Sequence, residues 1–296
     1  MVICEGKTKR IIKSDVEGEI IIETKDDLTG GDAAKLETIS GISVHKTKQT
    51  SDVFALLKRN NIETSFIKGL TENSFICHDC EMLPLELVMR RFAWGSYLKR
   101  EPNLVSTIEK PFRFDSIKTE FFHKHSVVMP PLSDKPLQME EGDARAQYLK
   151  DGVWQEGVYT DPLLITAADK WSLFSAKAPV DPSAPLLEIE PMMSQAEVQS
   201  LITDIMIPTF EVLEKAWAGI DTAAGAVSLV DMKIEVGRTK KDGRLVLADV
   251  IDNDSWRIWP GADPSKQLDK QCFREDNPLS EVAEKYQLVA ELTGKF

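Results

Sequence analysis

Cysteine, histidine and long hydrophobic runs are scarce in this sequence of 296 residues. Four cysteines in a chain of this length do not make a disulfide framework, and the four histidines are too scattered to indicate a metal centre. No run of about 18 apolar residues exists, which argues against a membrane-spanning helix. The opening, MVICEGKTKR, is too short and too charged for a signal peptide. We therefore expect a soluble, reduced, cytoplasmic protein with no membrane partner.

Basic residues are in the minority, with 36 Lys and Arg against 48 Asp and Glu and a formal net charge of −12. Residues 1–150 carry 22 basic and 23 acidic side chains, whereas residues 151–296 carry 14 and 25. No basic stripe runs along the chain, so a duplex nucleic-acid partner is not expected. The total charge by itself disfavours anionic substrates, but the two halves differ enough for local basic clusters to exist.

The spacing of apolar residues predicts an α+β fold rather than a regular βαβ alternation. Strands are predicted at residues 6–12, 19–24, 75–77 and 85–90, and a hairpin over 227–252 with its turn at 240–243. Helices are predicted near 46–60, from a capping box at Ser194 to Trp217 with a kink or break at Pro208, and over 281–292. Residues 125–160, with a proline-rich run at 129–136, are predicted to form a long surface excursion.

One face of the predicted strand at 227–236 carries three charged residues, Asp231, Lys233 and Glu235, while the other face is apolar. A charged row on a buried strand must be paired, hydrated or bound to metal. Asp249, on the predicted returning strand, adds a carboxylate, and two carboxylates from adjacent strands can bridge Mg²⁺ to nucleotide phosphates. The alternative is a solvated strand face with cross-strand ion pairs, and the pattern leaves both open.

Lys7 and Lys9 follow a glycine at i, i+2 spacing. Two ammonium groups on one strand face could hold phosphate oxygens, or they could protect a solvated edge strand. The chain has neither the glycine pattern of a P-loop nor that of a Rossmann fold.

Two further basic sites lie later in the chain. In the run RRFAWGSYLKR at residues 90–100, Arg90 ends a predicted strand, and Gly95 and Ser96 could begin a helix that donates to a phosphate. The alternative is a strand-to-helix turn on a basic surface. Arg257 lies between two tryptophans and is either stacked structurally or an anion ligand.

The order of these motifs resembles the SAICAR synthetase (phosphoribosylaminoimidazole-succinocarboxamide synthase) family of de novo purine synthesis. The motifs are EGKTK at 5–9, DDLTGGDAAK at 26–35, RRFAWGSYLKR at 90–100, Asp161-Pro162, LVDMKIEVG at 229–237 and VLADVIDNDSWRIWP at 246–260. The resemblance runs from about residue 3 to residue 292. Its last motif is most similar to the animal form, in which this module is fused to an aminoimidazole-ribotide (AIR) carboxylase.

The resemblance implies an ATP- and Mg²⁺-dependent ligase that joins the carboxylate of the ribotide CAIR to L-aspartate through an acyl phosphate, giving SAICAR, ADP and phosphate. It implies an α+β fold with an ATP-grasp-like nucleotide cleft. The cleft would lie between a small sheet subdomain, residues 1–84, and a larger α/β subdomain, residues 85–296, which contains the insertion at about 125–160. A homo-oligomer and a separate or fused AIR carboxylase are left open as partners.

The resemblance also implies residue roles. Lys7 and Lys9 face the ATP phosphates, while Glu235 and Asp249 bind ATP through Mg²⁺. Lys233 and Asp231 are the catalytic residues beside the reacting carboxylate. The implied substrate-binding residues are Arg90, Gly95, Ser96, Asp161, Arg257 and Arg274.

The sequence departs from the family pattern at Ala34-Lys35, where many members have an arginine, and after Lys124, where the insertion precedes Asp161. Two alternatives to the ligase are another nucleotide-dependent phosphotransferase, which would not require L-aspartate, and a non-catalytic nucleotide-binding module, which would have lost its metal-holding residues.

Overall fold

The computed structural model describes residues 1–30, 35–275 and 277–296. The departure at Ala34 and the rest of residues 31–34 lie outside the described residues, as does the side chain of Lys35. The chain divides into two compact units, residues 1–83 with 207–296, and residues 84–206. The predicted division at residue 84 assigned everything beyond it to the second subdomain, whereas in the structure residues 207–296 belong to the first unit.

The opening segment of the first unit contains a mostly antiparallel β-structure and one long helix. Its elements are β1 (Val2–Glu5), β2 (Lys9–Lys13), β3 (Glu19–Thr24), β4 (Asp27–Gly30), β5 (Lys35–Thr38), α1 (Ile42–Arg59), β6 (Phe66–Thr71), β7 (Ser74–His78) and β8 (Cys80–Met82). One sheet has the order β1-β2-β3-β7-β6, and β4 pairs with β5. The predicted strand at 19–24 coincides with β3.

Two boundaries in this segment differ from the prediction. The strand predicted from residue 6 begins at Lys9, because the Gly6 N–H donates to the Lys9 carbonyl at 2.9 Å and closes a tight turn that contains Lys7. The helix predicted from residue 46 begins at Ile42, because the Asp26 carboxylate accepts from the N–H groups of Gly41 and Ser43 and satisfies its first turn.

The second unit is built on an antiparallel sheet of order β18-β17-β16-β10-β9. Its elements are β9 (Leu85–Phe92), α2 (Ser96–Arg100), β10 (Arg113–His123), β11 (His125–Val128), β12 (Leu137–Glu140), α3 (Glu141–Tyr148), β13 (Leu149–Lys150), β14 (Val153–Trp154), β15 (Val158–Thr160), β16 (Leu163–Thr166), β17 (Trp171–Phe174), β18 (Leu187–Ile189) and α4 (Gln195–Ser200). Buried apolar residues from four of its strands form a core cluster of Val88, Phe122, Leu163 and Phe174.

The stretch at 125–160 is more regular than predicted. The proline-rich residues 129–136 and the short turns at 151–152 and 155–157 lack helix and strand. The remainder forms a sheet of order β12-β11-β15, the helix α3 and the β13–β14 pair. Val127 and Val128 are fully buried in this sheet, which explains why a segment with few apolar residues still folds locally.

The break predicted near Pro208 is present. The capping box between Ser194 and Glu197 starts α4, which is followed by a π-helical turn over Leu201–Met206 and then by α5 (Ile207–Ala218). A proline cannot donate to the preceding turn and its ring crowds the carbonyl four residues earlier. The wider π turn is one way for a helix to accommodate such an interruption.

The closing segment of the first unit contains the long strand that carries the charged row. Its further elements are β19 (Asp221–Thr222), β20 (Gly225–Thr239), β21 (Leu245–Ala248), β22 (Trp256–Pro260), α6 (Gln271–Arg274) and α7 (Leu279–Thr293). β20 pairs antiparallel with β8, β19, β21 and β22. This pairing with β8, and the packing of α7 against α1, join residues 207–296 to residues 1–83.

These elements confirm the predicted α+β class. No helix among the described residues combines the length and the apolar character needed to cross a membrane.

Candidate active site

A lysine–carboxylate pair joins β2 to the end of β21 in the first unit. The Lys9 ammonium donates to Asp249 Oδ1, and the two side chains are 25% and 18% exposed. Burial lowers the pKa of Lys9, but the charges of Asp249 and Glu235 outweigh it and the net pKa is raised. Lys9 therefore carries a firmly held positive charge.

Asp249 has an unusual backbone. It was predicted to lie within the returning strand, but β21 ends at Ala248 and Asp249 adopts φ +63°. A left-handed conformation is uncommon outside glycine and asparagine-like residues, and in structures it clusters at functional positions. The turn ends the ladder with β20 and frees the carboxylate to approach Lys9.

Glu235 brings a second carboxylate to the same place. It lies opposite Ala248 in the β20–β21 register, one residue from Asp249, and acts electrostatically on Lys9. No group of three or more metal-ligating side chains occurs in the parts of the chain that the structure describes. Two hard oxygen donors nevertheless fit Mg²⁺, which is commonly held by one or two carboxylates with the remaining ligands from water and phosphates.

The charged row of β20 is confirmed as one face of the strand. Asp231 is buried and lies opposite Arg257 of β22, whose Nη1 donates to Asp231 Oδ2 at 2.5 Å. Lys233 and Glu235 follow on the same face and are partly exposed, while the residues between them are buried. The Lys233 backbone N–H donates to the Ser255 carbonyl at 2.7 Å, which ties the middle of the row to the loop before β22.

A buried network that the sequence did not predict holds this loop. Lys270 Nζ donates to Asp254 Oδ2 at 2.7 Å, and the Tyr286 hydroxyl donates to Asp254 Oδ1 at 2.5 Å. The Asp254 N–H donates to Asp252 Oδ1 at 2.8 Å. Residues 252–254 belong to the motif at 246–260, but Lys270 and Tyr286 gave no local signal because they come from later segments of the chain.

The ionisation of this network follows from its surroundings. Burial and the Asp254 carboxylate raise the pKa of Asp252 to about 6. Burial also opposes ionisation of Asp254, but the Lys270 and Lys46 ammonium groups outweigh it and hold the pKa of Asp254 well below its usual value. The loop between Asp249 and Arg257 is thus held in place by the buried contacts of Asp254 with Lys270 and Tyr286.

In the second unit, Arg90 is buried in β9 and is held by a carboxylate. Its Nε donates to Glu120 Oε2 at 2.6 Å, and the other oxygen of Glu120 accepts from Arg100. Arg90 was predicted at the end of its strand, but β9 continues to Phe92. Gly95 and Ser96 begin a helix as predicted. Gly95 has φ +62° and ψ −131°, a backbone conformation in which a residue with a side chain would be strained.

Asp161 precedes Pro162 at the start of β16 with φ +42°. Its N–H donates to the His125 carbonyl at 3.2 Å, which joins it to the first strand of the insertion. The sequence treated His123 and His125 as scattered, but their ring centroids are 4.4 Å apart. Burial lowers the pKa of His123 to about 4, so this imidazole is neutral near pH 7.

Two predicted site residues of the first unit, Lys7 and Arg274, are exposed. Lys7 lies in the turn before β2. Arg274 lies at the end of α6, and its Nη1 donates to Gln271 at 3.4 Å. The first unit thus brings Lys9, Asp249 and Glu235 into one cluster and Asp231 and Arg257 into another along the same strand.

The first unit has two carboxylates, one on β20 and one in the turn after β21, beside an ammonium group, and the second unit has a buried arginine held by a carboxylate. Groups of this kind are typical of an enzyme that binds anionic, metal-associated substrates. Comparison with known proteins agrees with this class. A solved SAICAR synthetase in complex with ADP covers 98% of this chain and 96% of its own, with a TM-score of 0.65 and 25% identity.

The family model described as SAICAR synthetase matches residues 2–150 and 172–292. The phosphoribosylaminoimidazole-succinocarboxamide synthase of Chloroflexus aurantiacus is 36% identical over 301 residues, covering 100% of this chain and 96% of the relative. The bifunctional phosphoribosylaminoimidazole carboxylase/phosphoribosylaminoimidazole succinocarboxamide synthetase of Mus musculus is 34% identical, covering 92% of this chain and 52% of its own. The chain is therefore an enzyme of the SAICAR synthetase family, and the SAICAR synthetase-like fold is confirmed.

Proposed function

We propose that this enzyme joins the carboxylate of CAIR to the amine of L-aspartate with ATP, giving SAICAR, ADP and phosphate. A carboxylate is a poor electrophile because its charge is delocalised and it has no leaving group. In the proposed first step a carboxylate oxygen of CAIR attacks the γ-phosphorus of ATP, the bond to the β-phosphate breaks, and ADP leaves. In the second step the amine of L-aspartate attacks the acyl carbon, phosphate leaves and the nitrogen loses a proton.

The protein's part in such a reaction is to position the substrates and to neutralise charge. Lys9, with its raised pKa, supplies a permanent positive charge for phosphate oxygens, and Lys7 adds a second one from the exposed turn beside it. Glu235 and Asp249 would hold Mg²⁺, which, when bound, neutralises the developing phosphate charge. The ADP present in the solved relative supports nucleotide binding here.

We assign the residues beside the reacting carboxylate to the same row on β20, at Lys233 and Asp231. Lys233, between Asp231 and Glu235, would hold the CAIR carboxylate in an ion pair and orient it for attack on the γ-phosphorus. Asp231 fixes the Arg257 guanidinium at 2.5 Å, which leaves the rest of that planar group oriented for an anionic substrate. We assign ribotide binding to Arg257, Arg90, Gly95, Ser96, Asp161 and Arg274.

The observation that carries the proposal is the single strand with alternating charges, flanked at one end by the Lys9–Asp249 pair and at the other by Arg257. The metal-holding carboxylates Glu235 and Asp249 are both present, which disfavours a degenerate nucleotide-binding module. The separate guanidinium groups of Arg90 and Arg257 indicate a second anionic substrate besides ATP, which disfavours a simple phosphotransferase.

The test is ADP release with ATP, Mg²⁺, CAIR and L-aspartate, omitting each component in turn. We expect ADP release to require all four and to be matched by one equivalent of SAICAR. ADP release that is unaffected by omitting L-aspartate would support the phosphotransferase instead, and nucleotide binding without any turnover would support the non-catalytic module.

The mouse relative carries a phosphoribosylaminoimidazole carboxylase function in the same chain. We propose that a carboxylase of this kind, separate or fused, supplies the CAIR used here. A coupled assay that starts from AIR, bicarbonate or CO₂ and an added carboxylase should then give SAICAR, and omission of the carboxylase should abolish it.

A further inference from the structure

Glu120 lies at the centre of a buried charge cluster in the second unit. Its strand β10 runs antiparallel to β9, with Glu120 opposite Val88 and Lys118 opposite Arg90. One oxygen of Glu120 accepts from Arg90 Nε at 2.6 Å and the other accepts from Arg100. The side chains of Arg90, Glu120 and Arg100 are 5%, 11% and 3% exposed.

Arg100 connects this cluster to the start of α2. Its Nη1 donates to the Ala176 carbonyl at 2.7 Å, and it reaches Ser96 O at 3.4 Å and Ser96 Oγ at 3.5 Å. Its guanidinium carbon lies 5.7 Å from the centroid of the Tyr97 ring and 5.3 Å from that of Phe122. Arg100 is thus fixed by carbonyl oxygens and aromatic faces.

The cluster holds two guanidinium groups against one carboxylate, so its three side chains sum to one positive charge. A buried guanidinium is costly unless it is paired and hydrogen-bonded, and a carboxylate that binds two of them fixes the plane of each. The Arg90 guanidinium carbon also lies 5.8 Å from the Tyr97 ring centroid, on the ring that Arg100 contacts. The chain of contacts Arg90–Glu120–Arg100–Ser96 therefore links two residues assigned above to ribotide binding.

We propose that Glu120 is a positioning residue for the ribotide site, orienting the Arg90 guanidinium towards the anionic substrate, with Arg100 as its support. This inference rests on the proposed function, in which Arg90 binds the ribotide. Because Glu120 acts through Arg90, its loss should affect binding of CAIR and not the handling of ATP.

The experiment is Glu120→Gln, which keeps the size of the side chain but removes its charge and turns one acceptor into a donor. We expect the KM for CAIR to rise by about 10- to 100-fold, since a hydrogen bond to a charged group is typically worth that much. The KM for ATP and kcat should change by less than about threefold. Glu101→Gln, at an exposed position just beyond α2, is the matched control and should leave all three constants unchanged.

A double-mutant cycle separates positioning from a purely structural role. In the Arg90→Lys background, Glu120→Gln should add little to the KM for CAIR, because the group that Glu120 orients is gone. A lowered melting temperature with an unchanged KM for CAIR, or fully additive effects of the two substitutions, would overturn the proposal.

Arg100→Lys provides a second variant if Glu120→Gln does not fold. This substitution keeps the positive charge but removes the guanidinium group, whose two nitrogens contact Glu120 and the Ala176 carbonyl at once. It should raise the KM for CAIR, as Glu120→Gln should. CAIR binding measured by calorimetry without ATP gives a readout independent of turnover. If the wild-type enzyme makes SAICAR and the variants bind CAIR normally, this inference alone is refuted. If the wild-type enzyme neither binds CAIR nor requires L-aspartate, the proposed function is refuted, and this inference with it.

Discussion

Asp249→Asn is the sharpest test of the nucleotide residues, because the structure separates its effect on the backbone from its effect on charge. Asp249 has φ +63°, and asparagine tolerates this left-handed conformation at least as well as aspartate. The substitution should therefore leave the turn after β21 intact. What it removes is the negative charge that pairs with Lys9 and that is proposed to hold Mg²⁺.

The stability cost follows from the burial of the pair. Exposed ion pairs contribute about 0–1 kcal/mol, and breaking a fully buried one costs about 3–5 kcal/mol. Lys9 and Asp249 are 25% and 18% exposed, between these limits, so the free energy of unfolding should fall by about 1–3 kcal/mol. The pKa of Lys9 should also fall, because burial then acts against fewer negative charges.

The effect on turnover should be larger. A metal ion contributes several kcal/mol of transition-state stabilisation, and each 1.4 kcal/mol is tenfold in rate, so kcat/KM should fall by about 1,000-fold or more. The assay is ADP release across a Mg²⁺ titration, with urea unfolding of the same protein samples. Asp249→Ala should lose similar activity but a further ~1 kcal/mol of stability, because alanine is strained at this φ.

Asp221→Asn, at an exposed carboxylate on β19, controls for the loss of one negative charge. It should change neither turnover nor stability measurably. A near-wild-type rate of Asp249→Asn at saturating Mg²⁺ would contradict the metal-binding role of Asp249. An alanine variant as stable as the asparagine variant would contradict the backbone constraint at this position.

Three further predictions concern stability. Lys270→Met should lower the free energy of unfolding, measured in urea at pH 7, by about 3 kcal/mol, because it leaves the Asp254 carboxylate without its buried ammonium partner. A loss below about 1 kcal/mol would contradict the importance of this pair. Asp252 has a pKa of about 6 in the fold, above its unfolded value of about 3.9, so the fold binds its proton more tightly and loses stability as the pH rises from about 4 to about 6. Asp252→Asn should flatten this part of the stability–pH curve, and an unchanged slope in urea unfolding at pH 4.5 and 6.5 would count against the raised pKa. Gly261→Ala should lower the melting temperature markedly and the free energy of unfolding by more than ~2 kcal/mol, because the added Cβ would overlap the Ala224 carbonyl oxygen and the residue has φ +63°. Gly243→Ala, also at positive φ but with open space around it, is the control and should lower the free energy of unfolding by less.

The elements that carry local chemistry could be predicted from the sequence. The two-residue period of β20 placed Asp231, Lys233 and Glu235 on one face, because side chains alternate across a strand whatever surrounds it. The capping box at Ser194 and the closing helix predicted over 281–292 also depend on short-range spacing, and both are present in the structure, where Val282 and Tyr286 are buried.

Features that depend on distant contacts could not be predicted. The start of α1 is capped by Asp26 from an earlier loop, and no residue near position 42 signals this. The predicted strand position of Asp249 was wrong, because the ladder ends where the chain turns towards Lys9, more than 200 residues earlier in the sequence. The proline-rich run at 129–136 was identified as irregular, but the sheet that forms around it depends on pairing between residues 126 and 160.

The amino-acid sequence by itself determined the α+β class, the charged row of β20 and, through its motif order, the SAICAR synthetase family, since these depend on residue type and short-range spacing. Only the tertiary structure decided which charges meet. It joined residues 207–296 to residues 1–83, paired Lys9 with Asp249, and placed Glu120 between two arginines and Asp254 between Lys270 and Tyr286. The physical reason is that a buried charge is stable only beside a partner, and its partner comes from whichever segment the packed fold brings within hydrogen-bond distance.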